Sequence, residues 1–154
     1  MSAMTSTARN TLAPSMADTA GLGVQSTIRF PRGLPGFEAC RGFVLMAPEH
    51  DGPLQYLKSV EGPQADFLVI DPRRVLPTYR CELSATDRHQ LGAGDDTVLL
   101  WLALVMIETD GTITANLRAP IVINPVRMVG QQVIPHDSVY PMRHVLAEAD
   151  DESR

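Results

Sequence analysis

Between Thr114 and Asn124 the chain reads Thr-Ala-Asn-Leu-Arg-Ala-Pro-Ile-Val-Ile-Asn, a run that alternates with a period of two. Ala115, Leu117, Ala119, Ile121 and Ile123 form one row, and Thr114, Asn116, Arg118, Pro120, Val122 and Asn124 form the other. This predicts a strand whose first row enters a core and whose mostly polar second row turns outward. Pro120 has no N–H to give a ladder, so the segment is an edge strand or two strands broken at that residue. Just upstream, Val98 to Ile107 is apolar on both parities. It reads as a long central strand buried on both faces, or as a buried helix. Asp110-Gly111 lies between the two runs and is a strong hairpin signal, so they are expected to pair. If one face of the central strand fills a barrel, the other needs a cover. The segment 85 to 91, a loop or a partner protein would supply it.

Proline and glycine cut the rest of the chain into strand-length apolar runs: Thr27 to Phe30, Phe43 to Met46, Leu54 to Val60, Phe67 to Ile70 and Val75 to Leu83. Pro77 demotes the last of these to an edge or a bulge, and Gly130 marks a bulge or turn within Arg127 to Ile134. Val139 to Leu146 is the final ordered piece. Ser84 as N-cap, Asp87 three residues on and Gly92 as a stop predict one short helix over 85 to 91. The expected fold is all-β, a small antiparallel β-barrel-like single domain with one short helix, spanning residues 25 to 146. Residues 1 to 24, rich in Ser, Thr and Ala, are expected to be a disordered tail, with Met16 as an alternative start. Residues 147 to 154 carry Glu148, Asp150, Asp151 and Glu152 and are expected to be a solvated acidic tail.

The 154 residues suit one domain with an ordinary core. Val98 to Ile107 reaches only half of the roughly 20 residues that a membrane helix needs. The N-terminus lacks the basic flank and apolar stretch of a secretory signal, so a cytoplasmic location is expected. A formal net charge of −5 and scattered arginines, with Lys58 the one lysine, disfavour phosphate-backbone binding. Cys40 and Cys81 are too few for a disulfide framework.

Catalytic chemistry finds little to work with. Neither cysteine stands at a helix N-terminus or in a motif that would lower its pKa, although His50, His89, His136 and His144 could in principle serve as bases. His136-Asp137 with His144 is the nearest approach to a metal set, and an ordinary loop produces that spacing. No glycine-rich loop opens a helix, so no nucleotide and no other cofactor is expected. Few aromatics alternate with basic residues, which argues against a stacking platform for single strands. The residues point to a binding protein and not to an enzyme.

Several stretches, taken in order, resemble the FliW family of flagellar assembly factors: Thr27-Ile28-Arg29-Phe30-Pro31-Arg32-Gly33-Leu34-Pro35-Gly36-Phe37-Glu38, Leu68-Val69-Ile70-Asp71-Pro72, Tyr79, Thr114 to Asn124, Gly130-Gln131-Gln132-Val133, and Tyr140 to Leu146. The resemblance implies a compact β-barrel without catalytic activity. It also implies binding of flagellin in the cytoplasm and of the RNA-binding translational regulator CsrA. Flagellin export would then free the protein to capture CsrA and relieve its repression of flagellin translation, an exchange that needs overlapping or coupled sites. Phe37, Glu38, Thr114, Asn116, Arg118, Asn124 and Gln132 match family-like positions and are the partner-binding candidates. Each has a plainer reading beside it. Phe37 and Tyr79 suit core aromatics, Asn116 and Asn124 suit residues that satisfy backbone groups at strand ends, and Gly33, Pro35 and Gly36 suit a turn. Two rival functions stay open at this level: a flagellin chaperone with no CsrA partner, and a small-ligand carrier or enzyme with a pocket lined by Trp101, Tyr79 or the cysteines.

Overall fold

The computed structural model describes residues 26–47 and 52–147, so His50 and the expectations for both tails lie outside the described residues, except at Ala147. Strands β1 (Ile28–Arg29), β2 (Gly42–Met46), β3 (Leu54–Ser59) and β4 (Asp66–Ile70) come first. Helices α1 (Pro72–Val75) and α2 (Ala85–Leu91) follow, and then β5 (Leu100–Ile107), β6 (Ile113–Ala115), β7 (Ile121–Asn124), β8 (Val129–Gln132) and β9 (His144–Ala147).

Seven strands close on themselves in the order β4-β3-β2-β1-β8-β7-β5, with β5 returning to β4. Closure removes sheet edges, and with them the unpaired backbone groups that an open sheet exposes. The neighbours are antiparallel, as expected, save for one parallel contact of Arg29 with Val129 between β1 and β8. β6 and β9 stand outside the ring and extend it as a branch from β5.

β5 shows why its sequence is apolar on both parities. Leu100, Leu102 and Leu104 face the barrel interior with Phe30, Phe43, Leu57, Val69, Ile121 and Ile123. The interior is filled by side chains, which speaks against a carrier with an enclosed pocket. The alternate residues of β5 face outward and are covered twice. Trp101 packs with Leu91, Val122 and Val133 beneath α2. Ala103 and Val105 pack with Ile70, Tyr79, Ala115 and Leu117 beneath the segment that runs from α1 toward α2. Trp101 and Tyr79 thus belong to different outer clusters.

Helix α2 spans the residues expected of it. The Ser84 hydroxyl accepts from the Asp87 N–H at 3.0 Å, and Gly92, at φ 65°, adopts the left-handed conformation that ends the helix. A second helix, however, occupies part of the expected Val75 to Leu83 strand. The Asp71 carboxylate accepts from the Arg73 N–H at 2.9 Å and Pro72 stands at the first turn, so the chain starts a helix directly after β4. Pro77 then follows, and the segment serves as a lid of side chains, Val75, Leu76, Tyr79 and Cys81, in place of a strand.

Gly130 is not a bulge either. It lies in regular β8 pairing opposite Ile123, and a Cβ built on it would sit 2.7 Å from Phe30 Cζ. The Phe30 ring occupies the space that a side chain would need. Tyr79 is buried as expected, whereas Phe37 is not a core aromatic. It is 41% exposed and leans edge-on against Phe67, ring centroids 5.1 Å apart.

Candidate partner-binding surface

β6 and β7 run antiparallel to the same edge of β5, so Thr114 to Asn124 is one strand interrupted in the middle. Val105 pairs with Ala115, and Leu102, three residues back along β5, pairs with Ile121, six residues on from Ala115. The β6–β7 side therefore carries three extra residues in a wide bulge. An odd insertion exchanges the two faces. Ala115 and Leu117 consequently enter the outer cluster, while Ile121 and Ile123 enter the barrel. The single inward row expected from the sequence is divided between two cores, and the sheet forks here. β7 continues round the barrel through β8, whereas β6 carries β9 away as a flap.

Several of the candidate residues hold this fork. The Asn116 side-chain carbonyl accepts from the Arg118 and Ala119 N–H groups, both at 3.0 Å, and so shapes the bulge itself. Gln132 Nε2 donates to the Ala119 carbonyl at 2.9 Å from the barrel side. On the flap side, Arg118 Nε donates to the Tyr140 carbonyl at 3.0 Å, and the Leu117 N–H donates to the Pro141 carbonyl. The Tyr79 hydroxyl reaches in to donate to the Leu117 carbonyl at 2.9 Å. Burial, ahead of the neighbouring Cys81 and Tyr140, raises the pKa of that hydroxyl above its ordinary value. Burial likewise raises the Cys81 thiol, the reverse of the activation a nucleophile requires.

Two residues expected on an outward row are instead buried. Thr114 is 3% exposed, its hydroxyl donating to Glu108 Oε2, which also accepts from Arg143 Nε at 3.1 Å. Asn124 is 1% exposed. Its amide donates to the Leu91 and Gly92 carbonyls, and its carbonyl accepts from the Val126 and Arg127 N–H groups, which fastens the end of α2 to β7. Its neighbour Val122 is buried as well, because α2 covers what the alternation marked as outward. Of the seven candidates, Arg118, Glu38 and Phe37 remain exposed. Glu38 accepts from the Gly36 N–H at 3.1 Å and closes its own turn.

The flap carries features that sequence reasoning passed over. Met106, Thr114 and Val145 lie in register across β5, β6 and β9, and Met106 and Val145 are 62% and 46% exposed. Ile107 and Met142 add further exposed apolar surface. Parity alone reads Met106 and Ile107 as buried, because they end an apolar run; β5 outlasts the barrel at that point. On the other side of the flap an open groove of about 390 Å³ runs between Leu54, Ile70 and Val75 on one wall and Ile113, Val145 and Leu146 on the other. Arg74 and His144 are its charged or titratable members. His136 and Asp137 do not join His144, and no group of three or more potential metal ligands occurs among the described residues. No helix among them is long and apolar enough to cross a membrane.

Comparison with known proteins adds to this geometry. The family model described as "FliW protein" matches residues 15–146. A flagellar assembly factor FliW from Geobacillus sp. (strain WCH70) is 40% identical over 120 residues, covering 77% of this chain and 83% of that protein. One from Natranaerobius thermophilus is 36% identical over 121 residues, covering 77% and 80%. A crystal structure of the flagellar assembly factor FliW superimposes with a TM-score of 0.72 at 34% identity, covering 79% of this chain and 85% of that one. With its closed seven-strand barrel and the match running through both the barrel and the flap, this chain belongs to the FliW family of flagellar assembly factors.

Proposed function

We propose that the chain acts in the cytoplasm as a non-enzymatic binding protein that takes up flagellin and, in exchange, the translational regulator CsrA, so that flagellin export controls flagellin translation. The observation that carries the reading is the family membership, joined to a barrel whose interior is packed and to a flap that sets Met106, Ile107, Met142 and Val145 in solvent. A packed interior leaves binding to the outside. Exposed methionine and valine beside an open strand edge is the kind of surface that receives a protein partner. The net charge of −5 suits a basic partner in encounter.

Pull-down of the purified full chain against flagellin and against CsrA of the same organism tests this. Capture of both, with flagellin displacing CsrA, is the expected result. Capture of neither at micromolar concentration would sink the reading, and capture of flagellin alone would turn the protein into an export-side chaperone.

A further inference from the structure

β9 pairs with β6 alone, so among the described residues its other edge has no strand beside it. Three consecutive β9 residues, His144, Val145 and Leu146, line the groove. The β6–β9 register shifts between Thr114 and Ile113, a bulge at Leu146, and the half-buried His144 and Leu146 and the more exposed Val145 all border the groove along β9. Backbone donors and acceptors for a further strand therefore lie next to apolar walls. Arg74 on α1 adds a cation that has no ion pair among the described residues, and His144 adds a second nitrogen donor.

We infer that this groove receives an extended peptide segment that adds to the edge of β9, with alternate apolar side chains in the groove and an acidic side chain on Arg74. Strand addition supplies affinity through main-chain hydrogen bonds, and pockets for alternate side chains supply selectivity. Charge complementarity sets the acidic position, since a guanidinium beside an apolar groove favours a carboxylate over any other side chain. The chain's own residues 148–152 supply acid but, among them, only Ala149 as an apolar side chain, so they do not match the walls. The inference deepens the binding role proposed above by naming the partner chemistry at the flap.

The test is selection of short displayed peptides on the full chain, followed by titration of the enriched sequences. Peptides alternating apolar residues with an Asp or Glu are expected, with affinity falling roughly tenfold on Arg74→Glu and again when alternate peptide amides are N-methylated. Arg74 is exposed, so the variant is expected to fold; Val145→Lys provides a second probe on the opposite wall. Enrichment of helical i, i+3, i+4 patterns, of basic peptides, or of nothing would overturn the inference. So would binding indifferent to both variants. Stronger peptide binding in the Glu148→Gln, Asp150→Asn, Asp151→Asn variant would make the chain's own tail the occupant and overturn it too, as would a dimer that Val145→Lys dissolves. Selection uses neither flagellin nor CsrA. An acidic strand consensus without capture of either would therefore remove the proposed function and keep the groove, and capture unaffected by Arg74→Glu would do the reverse.

Discussion

The seven-strand barrel and the β6–β9 flap share β5, yet they treat their backbones and their apolar side chains in opposite ways. In the barrel every strand has two neighbours, and Phe30, Phe43, Leu57 and Leu102 are fully buried. In the flap β9 has one neighbour among the described residues, and Met106, Met142 and Val145 stand in solvent. A closed sheet gives up recognition for stability, because it has no edge to offer and no apolar face to spare. A forked sheet keeps both properties in separate places. Local opening should therefore begin at the flap and leave the barrel intact.

The largest blow to this contrast is Phe30→Ala. It empties the centre of the barrel opposite Gly130 and should cost about 3 to 5 kcal/mol, unfolding barrel and flap together in a single urea transition. Asn124→Leu comes next. It leaves the Leu91 and Gly92 carbonyls without their buried donor and should cost about 2 to 3 kcal/mol, with faster amide exchange across α2 as its local signature. Tyr79→Phe should cost about 1 to 2 kcal/mol through the lost bond to the Leu117 carbonyl, loosening the fork and sparing the barrel.

The same tyrosine gives a pH test. Its folded pKa is raised above the ordinary value of 10.0, so the fold favours the neutral hydroxyl. That contribution is fully present below about pH 10 and is lost as pH climbs toward the folded value. Thermal melts in the alkaline range should show wild type losing stability with rising pH more steeply than Tyr79→Phe; equal slopes would contradict the assignment. The smallest effect belongs to Arg143→Ala. The Arg143–Glu108 pair sits on the flap with the arginine largely exposed, and its loss should cost no more than about 1 kcal/mol in double-mutant cycles.

Much of the barrel was legible because its rules are local. Ser84 and Gly92 bracket α2 by capping chemistry, Asp110-Gly111 turns β5 into β6, and the two-sided apolar run of β5 announces both an interior and a cover. Pro120 announced the break, since β7 begins directly after it, but the change of core was not legible, for the alternation from Ala115 to Ile123 is unbroken in the sequence while the space it faces changes. Periodicity reports which residues share a side of the strand; only the pairing with β5 reveals that the strand changes core midway. Asn124 satisfies backbone groups at a strand end, as one reading of it expects, but its place on the outward row misled for a related reason. A polar residue in an alternating row reads as solvated, but the carbonyl ends of a helix packed 33 positions away in the chain make it buried and satisfied. The exposed methionines of the flap escaped notice because exposure there depends on where the barrel ends, a property of topology.

The three-residue bulge between β6 and β7 also sets what lengths this chain tolerates. Residues 116–120 belong to neither strand, so a residue added or removed there changes only the size of the bulge so long as Ile121 stays opposite Leu102. A residue added inside β7 has no such slack, because everything beyond it changes face. Natural variation in length is therefore expected within the bulge and in the loop after α2, and not within β7.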